Sequence, residues 1–188
     1  MVGLRCCDPR DNGWVATRRK TADVLDEMIE HVRYEIAQAW LFAKFANGWA
    51  EQQLRPVELA VLTRNSLLEG GLIHLRCLIE FLGDKPTHDR VRARDYLPDD
   101  WDWVTNGQLT RVSDLSSRLA HLGTDRVDAF DWSEWFNAEA PIVFEGVRHF
   151  LVQLRATSPA RYKLFLQPGP HLPAKVWTEI WDSLLDNV

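Results

Sequence analysis

The stretch from Thr21 to Gln52 reads TADVLDEMIEHVRYEIAQAWLFAKFANGWAEQ, and its apolar residues recur every three or four positions. The recurring residues are Val24, Met28, Val32, Ile36, Trp40 and Ala43, with Leu25, Ile29 and Phe45 beside them. A helix with about 3.6 residues per turn places such residues on one stripe, which is buried against a partner. The sequence therefore predicts a long first helix with a broad apolar face.

A second helix is predicted to begin at Pro56, because proline suits the first position of a helix. Apolar periodicity continues to Leu82, and Gly83 is expected to end this helix in the left-handed conformation that glycine tolerates. Gly70 and Gly71 lie inside the helix. Since no strand precedes them and no nucleotide-binding glycine motif surrounds them, they indicate close packing of helices.

The connection after the second helix is rich in Asp and Pro, so it is predicted to be irregular. Its DRVRARDY portion is expected to be a short helical turn or an extended piece. A short third helix is predicted from Ser113 to Gly123, and a fourth from Asp131 to about Thr157. Pro141 should kink or restart the fourth helix, because its ring clashes with the preceding turn.

Two further helix starts are predicted at Ser158-Pro159 and at Leu172-Pro173. The second opens a C-terminal helix that carries Trp177, Ile180, Trp181 and Leu184. No convincing strand pattern competes with these helices. The 188 residues are therefore predicted to form one all-α domain, an antiparallel bundle of about four main helices with a short C-terminal helical addition. Residues 1–20 are expected to form an irregular arm.

Composition limits the classes of function. The net charge of -5 provides no overall attraction for nucleic acid or an anionic membrane, so either would need a local basic patch. No stretch is long and apolar enough to span a membrane, and the N-terminus lacks the core of a secretory signal, so a cytoplasmic location is expected. Cys6, Cys7 and Cys77 fit neither a disulfide framework nor a zinc site, and no metal or cofactor is expected.

Polar residues form a stripe along the second helix. Asn65, Glu69, Arg76 and Glu80 fall within a narrow sector at about 100° per residue. One interpretation is a solvated or salt-bridged surface, in which Arg76 and Glu80 pair at the i,i+4 spacing. The other is that the stripe faces a cleft between helices. His74 points the opposite way, and is predicted to be a hydrogen-bonded residue of the core.

The segment RLAHLGTDR supplies the candidate partners of that stripe, namely Arg118, His121 and Arg126. His121 lies in the last turn before Gly123, where an imidazole interacts favourably with helix carbonyls without any chemistry. Alternatively, His121 acts as a general acid or base and the arginines stabilise an oxyanion or phosphate. Cys77, in an apolar helix, is predicted to be inert.

Two basic segments are candidate nucleic-acid surfaces. Arg90, Arg92 and Arg94 are flanked by acidic residues, so local pairing is expected. Between Gly146 and Lys163 the chain has no acidic residue. This stretch contains Arg148, Arg155 and Arg161, and Arg148 and Arg155 lie two helical turns apart. It is the best local basic surface that the sequence offers.

The run N-x-x-x-E-x-x-x-x-H-x-R-x-L-x-E-F from Asn65 to Phe81, followed by RARDY and AHLGTDR, resembles a recurring pattern in small uncharacterised bacterial helical proteins. More distantly, a helical bundle with a polar second helix and a later His/Arg segment resembles the HEPN superfamily. Many members of that superfamily are metal-independent ribonucleases or nucleotide-binding partners, often dimeric. Their catalytic signature is Arg, four intervening residues and His, whereas this chain has His121 and Arg126 at that separation in the reverse order.

The resemblance implies a protein that binds or cleaves RNA, or binds a nucleotide. In this hypothesis the polar centre consists of Glu69, Arg76, His121 and Arg126. His121 would exchange the proton of a ribose 2′-hydroxyl, the arginines would hold phosphate, and Glu69 would orient Arg76 or His121. Arg118, Arg148 and Arg155 are predicted to contribute to binding. The alternative is a non-catalytic interaction module or obligate homodimer, whose interface uses the nine tryptophans and the Arg76/Glu80 pair.

Overall fold

A computed structural model describes residues 20–46, 57–83, 90–97, 101, 103 and 132–185 of the chain. Within these residues there are six helices and no strand: α1 (Ala22–Ala46), α2 (Val57–Leu82), α3 (Ala93–Tyr96), α4 (Trp132–Thr157), α5 (Pro159–Leu166) and α6 (Ala174–Leu185). The predicted all-α bundle is confirmed. The rest of the predicted arm, the end of the first helix after residue 46 and the predicted third helix lie outside the described residues.

Helices α1 and α2 pack side by side in opposite directions. Phe42 lies against Gly70 and Gly71, whereas Glu35, two turns earlier in α1, contacts His74. A Cβ atom on Gly71 would lie 2.8 Å from the Cβ of Phe42. Because glycine has no side chain, the two helices approach closely at this point, as the Gly70-Gly71 pair predicted.

Helix α4 packs on both α1 and α2. Phe136 lies near Gly71, and Phe150, four turns later in α4, contacts Phe81 with ring centroids 5.1 Å apart. The contacts advance in the same direction along both helices, so α4 is parallel to α2 and antiparallel to α1. These directions are those expected for the first, second and fourth helices of an antiparallel bundle.

Aromatic rings fill the core where the short helix α3 closes the bundle. Tyr96 of α3 contacts Phe81, Phe150 and Phe165 at centroid separations of 5.7–6.2 Å, all edge to face. This geometry suits the aromatic quadrupole. The buried Tyr96 hydroxyl donates a 2.7 Å hydrogen bond to the carbonyl of Leu25, and burial raises its pKa above the usual range. The residues after α2 are thereby fixed to the start of α1.

The end of α2 differs from the prediction in its mechanism. The helix ends at Leu82 as expected, but Gly83 does not adopt the left-handed conformation, and its N–H donates to the carbonyl of Ile79 at 3.0 Å. Side chains satisfy the terminal carbonyls instead. Arg92 donates to the carbonyl of Glu80, and the indole of Trp101 donates to that of Leu82 at 3.1 Å.

The C-terminal helices begin where their prolines predicted. Pro159 occupies the first turn of α5, and the carbonyl of Pro173 accepts the first hydrogen bonds of α6. Pro141 was predicted to kink or restart the fourth helix, and it does not restart it, because α4 continues through this residue without interruption. Pro141 and Asn137 are both exposed, so the Asn137 carbonyl that lacks a helical donor faces the solvent side. No helix in the described ranges combines the length and apolar character needed to cross a bilayer.

Candidate functional site

A groove of about 700 Å³ lies between α1 and α2 and is called the α1–α2 groove. Its α1 wall is formed by Lys20, Val24, Met28, His31, Val32 and Glu35. Its α2 wall is formed by Ile73, Arg76, Cys77, Leu78, Glu80 and Phe81, and Arg90 and Val91 close one end. This volume falls within the range of about 300–1,000 Å³ that is usual for small-molecule sites, which are mainly apolar with a few polar groups.

The groove has an apolar floor and open sides. Its α1 residues Val24, Met28, His31 and Glu35 follow one another at spacings of three or four, and Val32 is adjacent to His31, so they share one helix face. Val24 is 39% exposed and Ile73 is 51% exposed, so an apolar side chain stands at each side of the groove. Since isolated exposed aliphatic residues are ordinary, the polar groups between them decide what the groove can bind.

A network of charges occupies the groove near Arg90. Arg76 Nε donates to Glu80 Oε1 at 3.0 Å, and Arg90 donates to the other oxygen of the same carboxylate. Lys20, which precedes α1 in the chain, lines the groove beside the first residues of that helix. Among the described lining residues, these three cations and the carboxylates of Glu35 and Glu80 leave one net positive charge with histidines neutral, in a chain whose net charge is -5.

The polar stripe predicted on α2 divides into two parts. Arg76 and Glu80 form the expected i,i+4 ion pair, and both line the groove. Glu69 is exposed and lies seven residues before Arg76, which is about 10 Å along a helix. The side chain of Asn65 is outside the described residues. Among the described residues of the stripe, Arg76 and Glu80 form a salt bridge and line the groove, whereas Glu69 does not line it.

Five other predicted site residues are not among the described residues that line this groove. Arg118, His121 and Arg126 lie outside the described residues, so their meeting with Arg76 stays a prediction. Arg148 bonds to Glu145, which lowers the pKa of that carboxyl. Glu145 comes one residue before Gly146, where the predicted basic stretch begins, and so was left out of that stretch. Arg155 is exposed on α4, away from the groove lining.

The guanidinium groups of Arg90 and Arg92 contact Glu80 of α2, whereas the sequence predicted pairing with the acidic residues that flank them. Arg92 is buried, its backbone N–H donates to Asp95 Oδ2 at 2.8 Å and its guanidinium donates to the Glu80 carbonyl. Arg90 remains exposed and reaches the Glu80 carboxylate. The two residues therefore have different roles, since Arg92 holds the end of α2 and Arg90 faces the groove.

Sequence reasoning missed Glu35, which forms the other polar centre of the groove. Its Oε2 lies 2.7 Å from His74 Nδ1 in a hydrogen bond, and the Glu35 and His74 side chains are 28% and 17% exposed, respectively. The imidazole stacks on Phe42 at 5.8 Å and meets the edge of Tyr34 at 5.6 Å. The predicted packing role of His74 is confirmed. The available signal for Glu35 was its position three residues after Val32, which extends the apolar stripe of α1.

Cys77 lies between the two polar centres. Burial, followed by the negative charges of Glu35 and Glu80 and a thiol hydrogen bond to Glu35, raises its pKa to about 11. The thiolate is the reactive form of cysteine, so this environment suppresses nucleophilic chemistry. It agrees with the prediction that Cys77 is inert. Because the folded protein holds the thiol proton more tightly, this group's stabilising contribution is lost as pH rises from about 9 towards 11.

Alkylation of Cys77 by iodoacetamide at pH 8 is expected to be about a hundredfold slower in the native protein than in urea, since its pKa is raised from 9.0 to about 11. The measurement is mass spectrometry of the Cys77 peptide over time, with Cys6 and Cys7 replaced by serine. Glu35→Gln removes one negative charge and should accelerate the native reaction. Equal rates in native and urea-treated protein would contradict the assignment.

A second groove of about 520 Å³ lies between α1, α4 and α6. Its lining includes Trp40, Phe136 and Phe144, and Lys44 is the one charged residue in the lining that is described. Lys44 bonds to Glu179 at 3.0 Å, which lowers the pKa of that exposed carboxyl, and lies over the ring of Trp40. This surface thus lacks a cluster of polar groups directed at a ligand.

The described ranges contain no group of three or more His, Cys, Asp or Glu residues placed to hold a metal ion. Two polar centres, around Glu80 and around Glu35, lie in the α1–α2 groove. No family model matches the chain, and comparisons with curated proteins and with solved structures find no significant match.

Proposed function

We propose that the α1–α2 groove binds a nucleotide through its phosphate, either as a free nucleotide or as the phosphorylated end of an RNA strand. The observation that carries the proposal is the placement of Lys20, Arg76 and Arg90 along one largely apolar groove of an acidic protein. Local positive charge can attract an anion even when the whole chain repels it. The groove also has room for a sugar and a base.

The arginines supply the phosphate contacts in this proposal. A guanidinium presents a planar fork of donors that suits phosphate oxygens, and Glu80 holds Arg76 and Arg90 beside one another before ligand binds. Arg90 is 49% exposed, so its remaining donors face solvent and an entering anion. The negative charge of Glu80 opposes the same anion. Glu80 therefore orients the arginines and also limits affinity.

The apolar walls would contact the rest of the ligand. Val24 and Met28 of α1 and Ile73 of α2 all line the groove. Their side chains provide the non-polar surface that small-molecule sites use for most of their contact area. A phosphate at the arginines and a ring system against these side chains account for both the charged and the apolar parts of the groove.

Titration calorimetry with AMP is expected to show binding that Arg90→Ala weakens about tenfold, because a hydrogen bond to a charged group is lost. Arg155→Ala, which removes an exposed arginine outside the groove, should leave the affinity unchanged. Glu80→Gln should strengthen binding, because it removes the carboxylate that repels phosphate. Adenosine, which lacks the phosphate, should bind more weakly than AMP.

The two sources of the phosphate are distinguished by a second probe. A 5′-phosphorylated RNA tetranucleotide that binds more tightly than AMP, with the same Arg90→Ala loss, would assign the groove to an RNA end. Tighter binding of AMP would assign it to a free nucleotide. Equal losses in the Arg90→Ala and Arg155→Ala variants, or no binding of either probe, would contradict the proposal.

The alternative of a homodimer rests on the exposed Val24 and Ile73 at the groove. If the parent sediments as a dimer at micromolar concentration, Ile73→Asp dissociates it and AMP does not bind, then the groove is an interface between two copies. A monomeric parent that binds AMP excludes an obligate dimer. Sedimentation in the same buffer as the calorimetry therefore separates the two functions.

A further inference from the structure

We propose that Glu35 selects the base of the bound nucleotide by accepting a hydrogen bond from an exocyclic amino group. The inference rests on the proposed function and adds a specificity to it. Adenine and cytosine carry such an amino group, whereas hypoxanthine and uracil present a carbonyl oxygen at the equivalent position. The groove is therefore expected to prefer AMP over IMP, and CMP over UMP.

Glu35 lies at the end of the groove away from Arg90. The segment containing Arg90 is fixed near the start of α1, because Tyr96 bonds to the carbonyl of Leu25. From Val24 to Glu35 an α-helix rises about 16 Å. A ligand whose phosphate lies near Arg90 thus extends along the groove towards Glu35. The Glu80 carboxylate that holds Arg90 and the Glu35 carboxylate both act on Cys77, which lies between them, so one ligand can contact both centres.

The Glu35 carboxylate is held in place before any ligand binds. His74 Nδ1 lies 2.7 Å from its Oε2, and the Cys77 thiol donates a second hydrogen bond. Phe42 and Tyr34 fix the imidazole ring by stacking and by edge contact. An ionised carboxylate offers about four acceptor positions, so these two donors leave acceptor capacity for a ligand. The side chain is 28% exposed and forms part of the groove wall.

The chemistry of a carboxylate makes the selection directional. An ionised carboxylate only accepts hydrogen bonds, so it attracts an amino group and repels the lone pairs of a carbonyl oxygen. This combination of attraction for one ligand and repulsion of another is a general source of specificity. Acidic side chains recognise the amino group of cytosine in nucleic acids by the same bond. The fixed position of Glu35 leaves it little freedom to avoid an unfavourable carbonyl.

The experiment is calorimetric titration of the full chain with AMP, IMP, CMP and UMP at pH 7.5. The parent should bind AMP about tenfold more tightly than IMP, and CMP about tenfold more tightly than UMP. In Glu35→Gln the preference should disappear or reverse, because an amide can also donate to a carbonyl. The matched control is Glu27→Gln, which neutralises an exposed carboxylate of α1 outside the groove lining and should keep the preference.

The possible results separate the inference from the function on which it rests. Equal binding of AMP and IMP by the parent overturns base selection and leaves nucleotide binding intact. A preference that persists in Glu35→Gln overturns the assignment to Glu35. Failure of all four nucleotides to bind overturns both proposals. The comparison on the parent decides whether selection exists even if the Glu35 variant does not fold.

Discussion

Trp177→Ala is expected to lower the free energy of unfolding by about 3–5 kcal/mol, the range typical of removing a large buried aromatic residue. Trp177 is 2% exposed, and its ring stacks on Trp181 at a centroid distance of 5.7 Å. Its indole N–H donates to the carbonyl of Gly169 at 3.1 Å, and the guanidinium of Arg33 lies over its ring at 5.5 Å. Truncation therefore removes packing, a hydrogen bond and a cation–π contact together.

The burial of the Arg33 guanidinium adds to the expected loss of stability. Burial lowers the pKa of this guanidinium, although Glu30 partly opposes the shift, and its NH1 donates to the Leu164 carbonyl at 2.9 Å. Without the Trp177 ring, a buried cation would lose one of its favourable contacts. Urea denaturation followed by circular dichroism measures the effect. A stability within about 1 kcal/mol of the parent would contradict the central position of Trp177 in the core.

The phenylalanine variants provide a matched control for the hydrogen bond. Trp177→Phe removes the donor to Gly169, whereas the Nε1 atom of Trp181 is buried without a hydrogen-bond partner among the described residues. A buried polar group without a hydrogen-bond partner lowers stability, and Trp181→Phe removes such a group. Trp177→Phe should therefore destabilise more than Trp181→Phe. The opposite order would indicate that ring volume alone determines the two losses.

Helix faces were predictable because periodicity reports which residues share a side. The C-terminal helix shows this clearly, since Trp177, Ile180, Trp181 and Leu184 are all buried in α6 as predicted. The prolines before α5 and α6 located the starts of these helices for a local reason, namely that a missing N–H is harmless in a first turn. Such signals need no knowledge of the tertiary fold.

The mechanism that ends α2 was not predictable from local sequence. The donors that satisfy its last carbonyls, Arg92 and Trp101, lie 12 and 19 residues further along the chain than their acceptors. A Cβ atom on Gly83 would lie 3.4 Å from a guanidinium nitrogen of Arg92, which is ordinary van der Waals contact. A glycine after a helix predicted its end, but the structure caps that end with side chains from later in the chain.

The candidate site was predictable only within one helix. The Arg76–Glu80 pair follows from spacing along α2, and the structure contains it. The Glu35–His74 pair requires the register between α1 and α2, which periodicity does not determine. His74 was predicted to be a hydrogen-bonded residue of the core from its place on the apolar face of α2, but its partner could not be identified from the sequence. The groove exists because two antiparallel helices place these separate pairs beside one another.

Because α1 and α2 touch closely at Gly71 in this register, Gly71→Ala is the second change with a large expected effect. It should lower the free energy of unfolding by about 1–3 kcal/mol. In an open helix, replacing Gly with Ala would instead stabilise by about 1 kcal/mol. The new Cβ would lie 2.8 Å from Phe42 Cβ and 3.1 Å from the ring of Phe136. Phe42 Cβ moves only with the backbone of α1, so the helices must separate. Urea denaturation measures both the sign and the size of the change.

Gly70→Ala is the matched control, because its Cβ would meet Phe42 at Cζ, the far end of the ring, at 2.9 Å. This ring can turn aside more readily than its own Cβ, so the variant should lose less stability than Gly71→Ala. A stabilised Gly71→Ala would show that α1 and α2 are further apart than the glycine contacts require. Phe42 also stacks on His74, which holds Glu35. Separation of the helices at Gly71 should therefore disturb the α1–α2 groove as well as the core, and weaken AMP binding together with stability.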